Sequence, residues 1–173
     1  MANPIDIAAA KAKAMEKSLD ARRSGLVGVF QTLAKQHGEA SALIERVKNN
    51  PDKREALWPR IRVELLSHEK AELKAVYPAL GIHSDLREYV EQHGREAKEL
   101  EQMIDRLETT SMDAAEWMSL FDTLGDTVLA HAHEEETEIF PSALETIGHD
   151  QAKKLDKDFA AAQKAIGSSL TKH

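Results

Sequence analysis

The chain has 173 residues, no cysteine and a formal net charge of −7. Without cysteine there is no disulfide, iron–sulfur cluster or thiolate chemistry, so any metal must be held by imidazole and carboxylate groups, which suit iron, manganese or zinc. The acidic balance argues against a nucleic-acid partner. No apolar run is long enough to span a membrane and no signal-peptide pattern is present, so we predict a cytoplasmic protein.

Composition and spacing predict an all-α protein. Only 8 glycines and 5 prolines occur, and alanine, leucine, glutamate and lysine are abundant, which favours helices joined by short turns. A first helix is predicted over residues 5 to about 22, because Asn3 can cap it and Pro4 fits its first position. We interpret residues 1–23 as an N-terminal helical arm that lies on the domain or on a partner, and a partly frayed surface helix is the alternative. Its apolar stripe consists of Ile5, Ala8, Ala9, Ala12, Met15 and Leu19.

Four longer helices follow the arm. Helical periodicity places them at about residues 24–47, 52–76, 85–107 and 113–140. Ser24 is the predicted cap of the first, and Trp58 and Trp117 are expected to plug one end of the assembly. The short links between the helices predict an antiparallel up-down-up-down four-helix bundle over residues 24–147. Residues 148–173 are predicted to contain a short helix, from about Asp150 to Leu170, that either packs outside the bundle or forms a tail.

Each of the four long helices carries one histidine on its apolar stripe, near its middle. These are His37, His68, His93 and His131. Antiparallel order places all four at a comparable depth. A single buried histidine is usually a hydrogen-bonded core residue, but four in one layer indicate a metal site. Unpaired imidazoles and carboxylates in a core would each cost several kcal/mol, whereas a divalent ion satisfies them together.

Two of these histidines begin the same motif. His68 is followed by Glu72 and Tyr77-Pro78, and His131 is followed at the same spacings by Glu135 and Phe140-Pro141. Residues four apart on a helix differ by only about 40° around its axis, so each histidine and its glutamate can reach one site. We expect each proline to end or bend its helix, because it lacks an N–H group and its ring clashes with the preceding turn.

The ordered set of motifs resembles the hemerythrin-like, or HHE cation-binding, family over about residues 24–147. The resemblance implies a four-helix bundle around two non-haem iron ions, with an oxo or hydroxo bridge supplied by solvent. It implies, as metal ligands, His37, His68, Glu72, His93, His131 and Glu135. The two glutamates would bridge the ions. Zinc or manganese is the alternative for this ligand set.

One position departs from the oxygen-carrying members of the family, which have a second histidine one turn after that of the third helix. Here the residue is Ala97, which argues against simple reversible oxygen storage. Glu64 and Glu96 lie near the histidine stripe and are either further ligands, hydrogen-bond partners of ligands or surface ion pairs. Tyr89 is either a hydroxyl donor to the site or a core aromatic. His133 should face solvent or a neighbouring helix.

Two functions fit this interpretation. The first is binding of, sensing of or reaction with a small ligand such as oxygen, nitric oxide or peroxide, in oxygen, redox or nitrosative-stress handling. If the protein is an enzyme, peroxide or nitric oxide is the expected substrate. The second is an iron-binding module for storage, donation or sensing without turnover. A structural zinc or manganese site in an interaction domain is a third alternative. A monomer or homodimer is expected, without nucleic acid or membrane, and a protein partner would contact the N-terminal arm.

Overall fold

The computed structural model describes residues 2–171, which are helical almost throughout and contain no strand. Met1, Lys172 and His173, at the ends of the predicted arm and tail, lie outside the described residues. The helices are α1 Pro4–Arg23, α2 Val29–Asn49, α3 Arg54–Ala71, α4 Tyr77–Leu80, α5 Arg87–Thr109, α6 Ala115–Glu134 and α7 Phe140–Leu170. The all-α prediction is confirmed, and α2, α3, α5 and α6 are the four rods of the bundle. None of the described helices is both long and apolar enough to cross a membrane.

Two π-helical turns occur where the sequence motifs end. Glu72–Val76 joins α3 to α4, and Glu135–Ile139 joins α6 to α7. In each turn the carbonyl of the glutamate accepts a hydrogen bond from the N–H group five residues later, that of Tyr77 or Phe140. This adds one residue to the helical turn and accommodates the proline that follows, which has no N–H group to donate. The prolines therefore follow a widened turn instead of ending the helix.

The start of α2 differs from the prediction. Ser24 follows the last residue of α1 instead of capping α2, which begins at Val29. Gly25 and Gly28 have positive φ angles of 86° and 58°, so the chain between the two helices turns in a conformation that favours glycine. Gly28 also lies against α7, because a Cβ atom there would be 2.5 Å from the carbonyl carbon of Ala152.

Replacement of Gly28 by alanine is expected to lower the free energy of unfolding by roughly 3 kcal/mol, because backbone strain and overlap with α7 act together. Gly25→Ala is the matched control: its φ is also positive, but no atom lies within 4 Å of its Cβ position. The control should lose roughly 1 kcal/mol, from backbone strain alone. Urea denaturation measures both values, and equal losses would contradict the role given to the contact with α7.

The arm packs on α2 through its small residues. The buried residues of α1 are Asp6, Ala10, Ala14 and Ala21. The alanines permit a close approach, since a Cβ atom on Gly38 of α2 would lie 2.8 Å from the carbonyl oxygen of Lys13. The larger apolar side chains of the predicted stripe, those of Ile5, Met15 and Leu19, are exposed. The arm therefore lies on the domain with its larger apolar face in solvent.

The C-terminal helix is part of the wall around the bundle. α7 bends at Gly148, whose φ is 77°, and then continues to Leu170. Beyond the bend it packs against α2 and α3 and buries Leu155 and Phe159. It therefore packs outside the bundle, as one of the two predicted alternatives has it.

The core is divided into two apolar clusters with a polar layer between them. One cluster includes the rings of Phe30, Tyr77, Phe140 and Phe159. The other includes Trp58, Trp117 and Phe121, whose rings contact one another. Each rod of the bundle passes from one cluster to the other at its histidine: on α3, His68 lies between Leu65 of one cluster and Ala71 of the other. The fold thus isolates a small set of polar side chains between two apolar regions.

Candidate metal centre

The polar layer consists of seven histidine and glutamate side chains from the four rods and the two π-helical turns. They are His37, His68, Glu69, Glu72, His93, His131 and Glu135. Glu72, His93 and Glu135 are completely buried, and even His131, the most accessible of the seven, has only 13% of its side chain exposed. The structure therefore brings together the six residues proposed as ligands from the sequence, and adds Glu69.

One half of the layer is formed around His37 and His68. Their Nε2 atoms are 3.3 Å apart. Glu135 Oε2 lies 3.2 Å from the Nε2 atom of His37, and Glu72 Oε2 lies 3.1 Å from that of His68. These donor atoms are close enough to share one cation.

The other half is formed around His93, His131 and Glu69. The two oxygens of Glu69 lie 3.7 Å from the Nε2 atoms of His93 and His131, one oxygen facing each ring. Glu135 Oε2 is also 3.5 Å from His131 Nε2, and Glu72 Oε2 is 3.9 Å from His93 Nε2. Glu72 and Glu135 therefore face both halves, which is the arrangement that two bridging carboxylates require.

Glu69 is the residue that sequence reasoning missed. It follows His68 directly, so it lies about 100° around the helix from the stripe formed by His68 and Glu72. That direction points to α5, where His93 lies, and not to the side of α2. The sequence did contain a sign of this extra donor. An acidic residue directly follows His68, whereas the residue at the same place after His131 is Ala132. The second helix therefore supplies three donors and the fourth supplies two.

The donor set leaves several buried polar atoms without a hydrogen-bond partner. They are Glu69 Oε2, both oxygens of Glu72, both ring nitrogens of His93, His131 Nε2 and Glu135 Oε2. Leaving such an atom unsatisfied costs about 1–3 kcal/mol, and more when it is charged. Cations held between the two halves would satisfy these atoms together, so the residues fit a metal centre.

Burial shifts the ionisation of these groups in opposite directions. It raises the pKa of Glu69 to about 7, and together with the charge of Glu135 it raises the pKa of Glu72 well above its ordinary value. Burial lowers the pKa values of His68 and His93 to about 4. Metal binding requires neutral imidazoles and ionised carboxylates. The imidazoles of His68 and His93 are therefore neutral at neutral pH, as metal ligands must be, whereas Glu69 and Glu72 would be held in their ionised form by a cation.

His37 is connected to the N-terminal helix through one carboxylate. Its Nδ1 atom lies 3.0 Å from Glu136 Oε1, and the ammonium group of Lys17 on α1 donates to Glu136 Oε2 at 2.6 Å. Burial lowers the pKa of His37, but its contacts with the carboxylates of Glu135 and Glu136 outweigh burial and raise the pKa to about 9. Without a cation the ring is therefore protonated at neutral pH, and an ion at Nε2 would displace the proton of that nitrogen while Nδ1 keeps its own.

His68 is connected to the C-terminal helix in a similar way. Its Nδ1 atom lies 2.9 Å from Gln36 Oε1. The amide groups of Gln36 and Gln163, which is on α7, donate to each other at 2.9 and 2.8 Å. The two helices outside the bundle therefore each reach a proposed ligand through one intermediate side chain.

Replacement of Gln36 by leucine is expected to weaken metal binding about tenfold or more, because loss of such an outer hydrogen-bond partner releases the orientation of its histidine. Gln31→Leu is the control, since Gln31 also lies on α2 but bonds to Ser18 on the arm. Competition against a chromophoric chelator measures both affinities. A similar loss in the two variants would show that general destabilisation, and not the bond to His68, is responsible.

The second half of the layer has its own supports. His131 Nδ1 lies 2.8 Å from Glu96 Oε2. The ring of His93 is stacked on that of Tyr77, with centroids 3.6 Å apart and planes 5° apart. The hydroxyl group of Tyr77 donates to Glu135 Oε1 at 2.5 Å. The aromatic residue of the first motif therefore covers one ring of the centre and orients a carboxylate that faces both halves.

These contacts decide between the alternative roles that the sequence left open for Glu64, Glu96 and Tyr89. Glu96 is a hydrogen-bond partner of His131, whereas Glu64 forms an ion pair with Arg60. Tyr89 packs against the apolar cluster as a core aromatic, and His133 is exposed. The phenol that reaches the centre is that of Tyr77, which sequence reasoning treated only as part of a terminating aromatic–proline pair.

The chain is similar to known proteins in one curated sequence and in one family profile. Over 149 residues the chain is 22% identical to a DNA nickase from Nostoc sp. (strain PCC 7120 / SAG 25.82 / UTEX 2576). The alignment covers 83% of this chain and 41% of the nickase, so the chain spans about two fifths of that protein's length. No solved structure matches the chain significantly. The sequence profile of the hemerythrin HHE cation binding domain matches residues 28–143, a span that holds all seven residues of the layer. The chain therefore belongs to the hemerythrin HHE cation-binding domain family.

Proposed function

We propose that this chain is a cytoplasmic non-haem di-iron protein that binds or reacts with a small ligand, namely oxygen, nitric oxide or peroxide. The observation that supports two ions is the division of the layer into two halves, with Glu72 and Glu135 facing both. Imidazole and carboxylate donors without any thiolate are a ligand set that iron accepts.

Each residue of the layer has a defined task in this proposal. His37 and His68 would hold one ion, and His93, His131 and Glu69 the other, with Glu72 and Glu135 between them. An iron pair supplies exchangeable positions and reversible electron transfer. Apolar clusters flank the layer on both sides and shield most of it from water. The hydroxyl group of Tyr77 donates a hydrogen bond to Glu135, a carboxylate of the centre.

The test is metal analysis combined with absorption spectroscopy of the aerobically purified protein. We expect two iron ions per chain and near-ultraviolet bands of a bridged ferric pair that shift on addition of azide. Rapid changes on addition of nitric oxide or peroxide would identify the reactive ligand. Zinc as the bound metal, or iron whose spectrum responds to none of these ligands, would contradict the proposal.

A second candidate function is iron sensing, storage or donation without turnover. It is supported by the hydrogen bonds through which Lys17 of α1 and Gln163 of α7 reach residues next to the proposed ligands. Metal binding would therefore change the contacts of both helices. A partner protein would contact the exposed apolar side chains of α1, including Met15 and Leu19. Iron that chelators remove readily, with no response to nitric oxide or peroxide, would favour this candidate.

The nickase activity named for the Nostoc relative does not enter the proposal. Identity to that protein is 22%, and the match covers less than half of its length. The net charge of −7 also does not favour binding to a polyanion such as DNA. The proposal therefore rests on the metal layer and on family membership.

A further inference from the structure

A cavity of about 250 Å³ lies beside the metal centre, between α2, α3 and α6. Its inner wall is formed by His37, His68, Glu69 and His131. One water molecule, which is similar in size to a diatomic ligand, occupies about 30 Å³ in the liquid. An apolar cavity of about 150 Å³ in another protein holds benzene. The cavity is therefore much larger than oxygen, nitric oxide or hydrogen peroxide requires.

The middle of the cavity is apolar. It is lined by Ala40 of α2, Leu65 of α3, and Val128 and Ala132 of α6. Alanine at two of these positions leaves open the volume that a larger side chain would fill. A wall of this kind favours a ligand with a hydrocarbon body, because burying apolar surface is the main source of affinity in such pockets.

The outer end of the cavity carries one arginine between two glutamates. The guanidinium group of Arg60 donates to Glu39 and to Glu64, with 2.6 Å to the latter. These side chains are between 23% and 35% exposed, so they lie at the entrance. Because two carboxylates accompany the single cation, the entrance offers no unpaired positive charge to an anion. A neutral ligand is favoured.

The inner end presents a hydrogen-bond acceptor. Glu69 lines the cavity and is only 7% exposed. An ionised carboxylate has about four lone-pair sites, so Glu69 can hold an ion and still accept a hydrogen bond on the side of the cavity. A hydroxyl or hydroperoxyl group can donate its proton to this carboxylate and keeps oxygen lone pairs for the centre. A hydrocarbon body with one such group therefore matches both parts of the wall.

We propose that this cavity binds a small neutral organic molecule carrying one hydroxyl or hydroperoxyl group, with that group at Glu69 and its body against Ala40, Leu65 and Val128. The inference rests on the proposed function, because it names the class of organic molecule that the same metal centre would meet. It extends the expected ligands from inorganic molecules to an alcohol or an organic hydroperoxide.

The test is calorimetric titration of the full-length, metal-loaded protein with cyclohexanol, and with cyclohexanecarboxylate as the anionic counterpart. We expect cyclohexanol to bind in the millimolar range and the carboxylate to bind more weakly. Ala40→Leu should weaken cyclohexanol binding about tenfold or more, since a single methylene in an apolar pocket already changes affinity by about that factor. Ala12→Leu is the matched control, because it makes the same change on the exposed side of α1. If Ala40→Leu does not fold, Val128→Phe fills the same cavity.

Metal content and the azide shift are measured on every variant. The metal content is expected to be unchanged in Ala40→Leu and Ala12→Leu, since neither substitution alters a donor atom. Absence of cyclohexanol binding in a wild-type protein that responds to azide would overturn this inference and leave the proposed function intact. Preference for the carboxylate, or equal cyclohexanol binding by wild type and Ala40→Leu, would also overturn it. Loss of the azide response in the wild type would instead count against the proposed function.

Discussion

Replacing Glu72 with alanine is expected to remove most of the bound metal. This carboxylate is completely buried and faces both halves of the layer, and neither of its oxygens has a hydrogen-bond partner among residues 2–171. Its loss would therefore affect both halves of the layer at once. His131→Ala should have a similar effect, because the Nε2 atom of His131 faces Glu69 and Glu135. Metal affinity should fall by more than about a hundredfold in each variant, because loss of a hydrogen-bond partner of a ligand alone lowers it by about ten- to a hundredfold.

His133→Ala is the control for these two variants. It removes an imidazole from the same helix, two residues from His131, but His133 is exposed and does not reach the layer. Glu72→Gln adds a second control, because it keeps the volume of the side chain and removes only its charge. Mass-spectrometric metal analysis measures all four proteins. Equal metal loss in Glu72→Ala, His131→Ala and His133→Ala would show that the inward face of α6 is wrongly assigned.

Removal of the metal should lower the midpoint of thermal unfolding by on the order of 10 °C, because ions that bind only the folded protein stabilise it by mass action. At a concentration a thousandfold above the dissociation constant this effect is about 4 kcal/mol, and each kcal/mol corresponds to about 2–4 °C in a domain of this size. The physical source is the layer itself, whose buried oxygens and nitrogens lose their partner when the ions leave.

Scanning calorimetry before and after dialysis against a chelator measures this shift. Addition of ferrous iron to the dialysed protein should restore the higher midpoint. The Glu72→Ala variant should show little change on chelation, because it has already lost its metal. An unchanged midpoint in the wild type, at a metal content shown to be zero, would mean that the layer is satisfied by protons or by solvent instead.

Helical spacing predicted six of the seven residues that meet in the layer. His131 and Glu135 share a face because the backbone of a helix fixes the angle between residues four apart, whatever surrounds them. Glu69 was missed for a related reason. Helical periodicity identifies the residues at the centre of the inward face of a helix. Whether a residue at the edge of that face, such as Glu69, also reaches the layer depends on the position of the neighbouring helix. That position is set by packing between helices, which the sequence of one helix does not show.

The features around the layer were harder to predict for the same reason. The apolar stripe of α1 indicated an inward face, yet Met15 and Leu19 are exposed, because the close contact with Gly38 of α2 selects the alanine face instead. The π-helical turns at Glu72 and Glu135 were not predicted, because a local rule for proline says that the helix breaks but not how it is accommodated. The position of Gly28 against α7 depends on a contact between distant parts of the chain.

The family profile covers residues 28–143, whereas Lys17 and Gln163 lie outside that span. A fragment trimmed to the profile would retain every proposed ligand but would leave Glu136 and Gln36 facing water, and would strip away the ring of Phe159 that contacts His68 edge-on. Binding constants obtained with such a fragment would describe a wetter and more loosely oriented site than that of the whole chain. Homology boundaries are therefore a poor guide for cloning a minimal version of this protein.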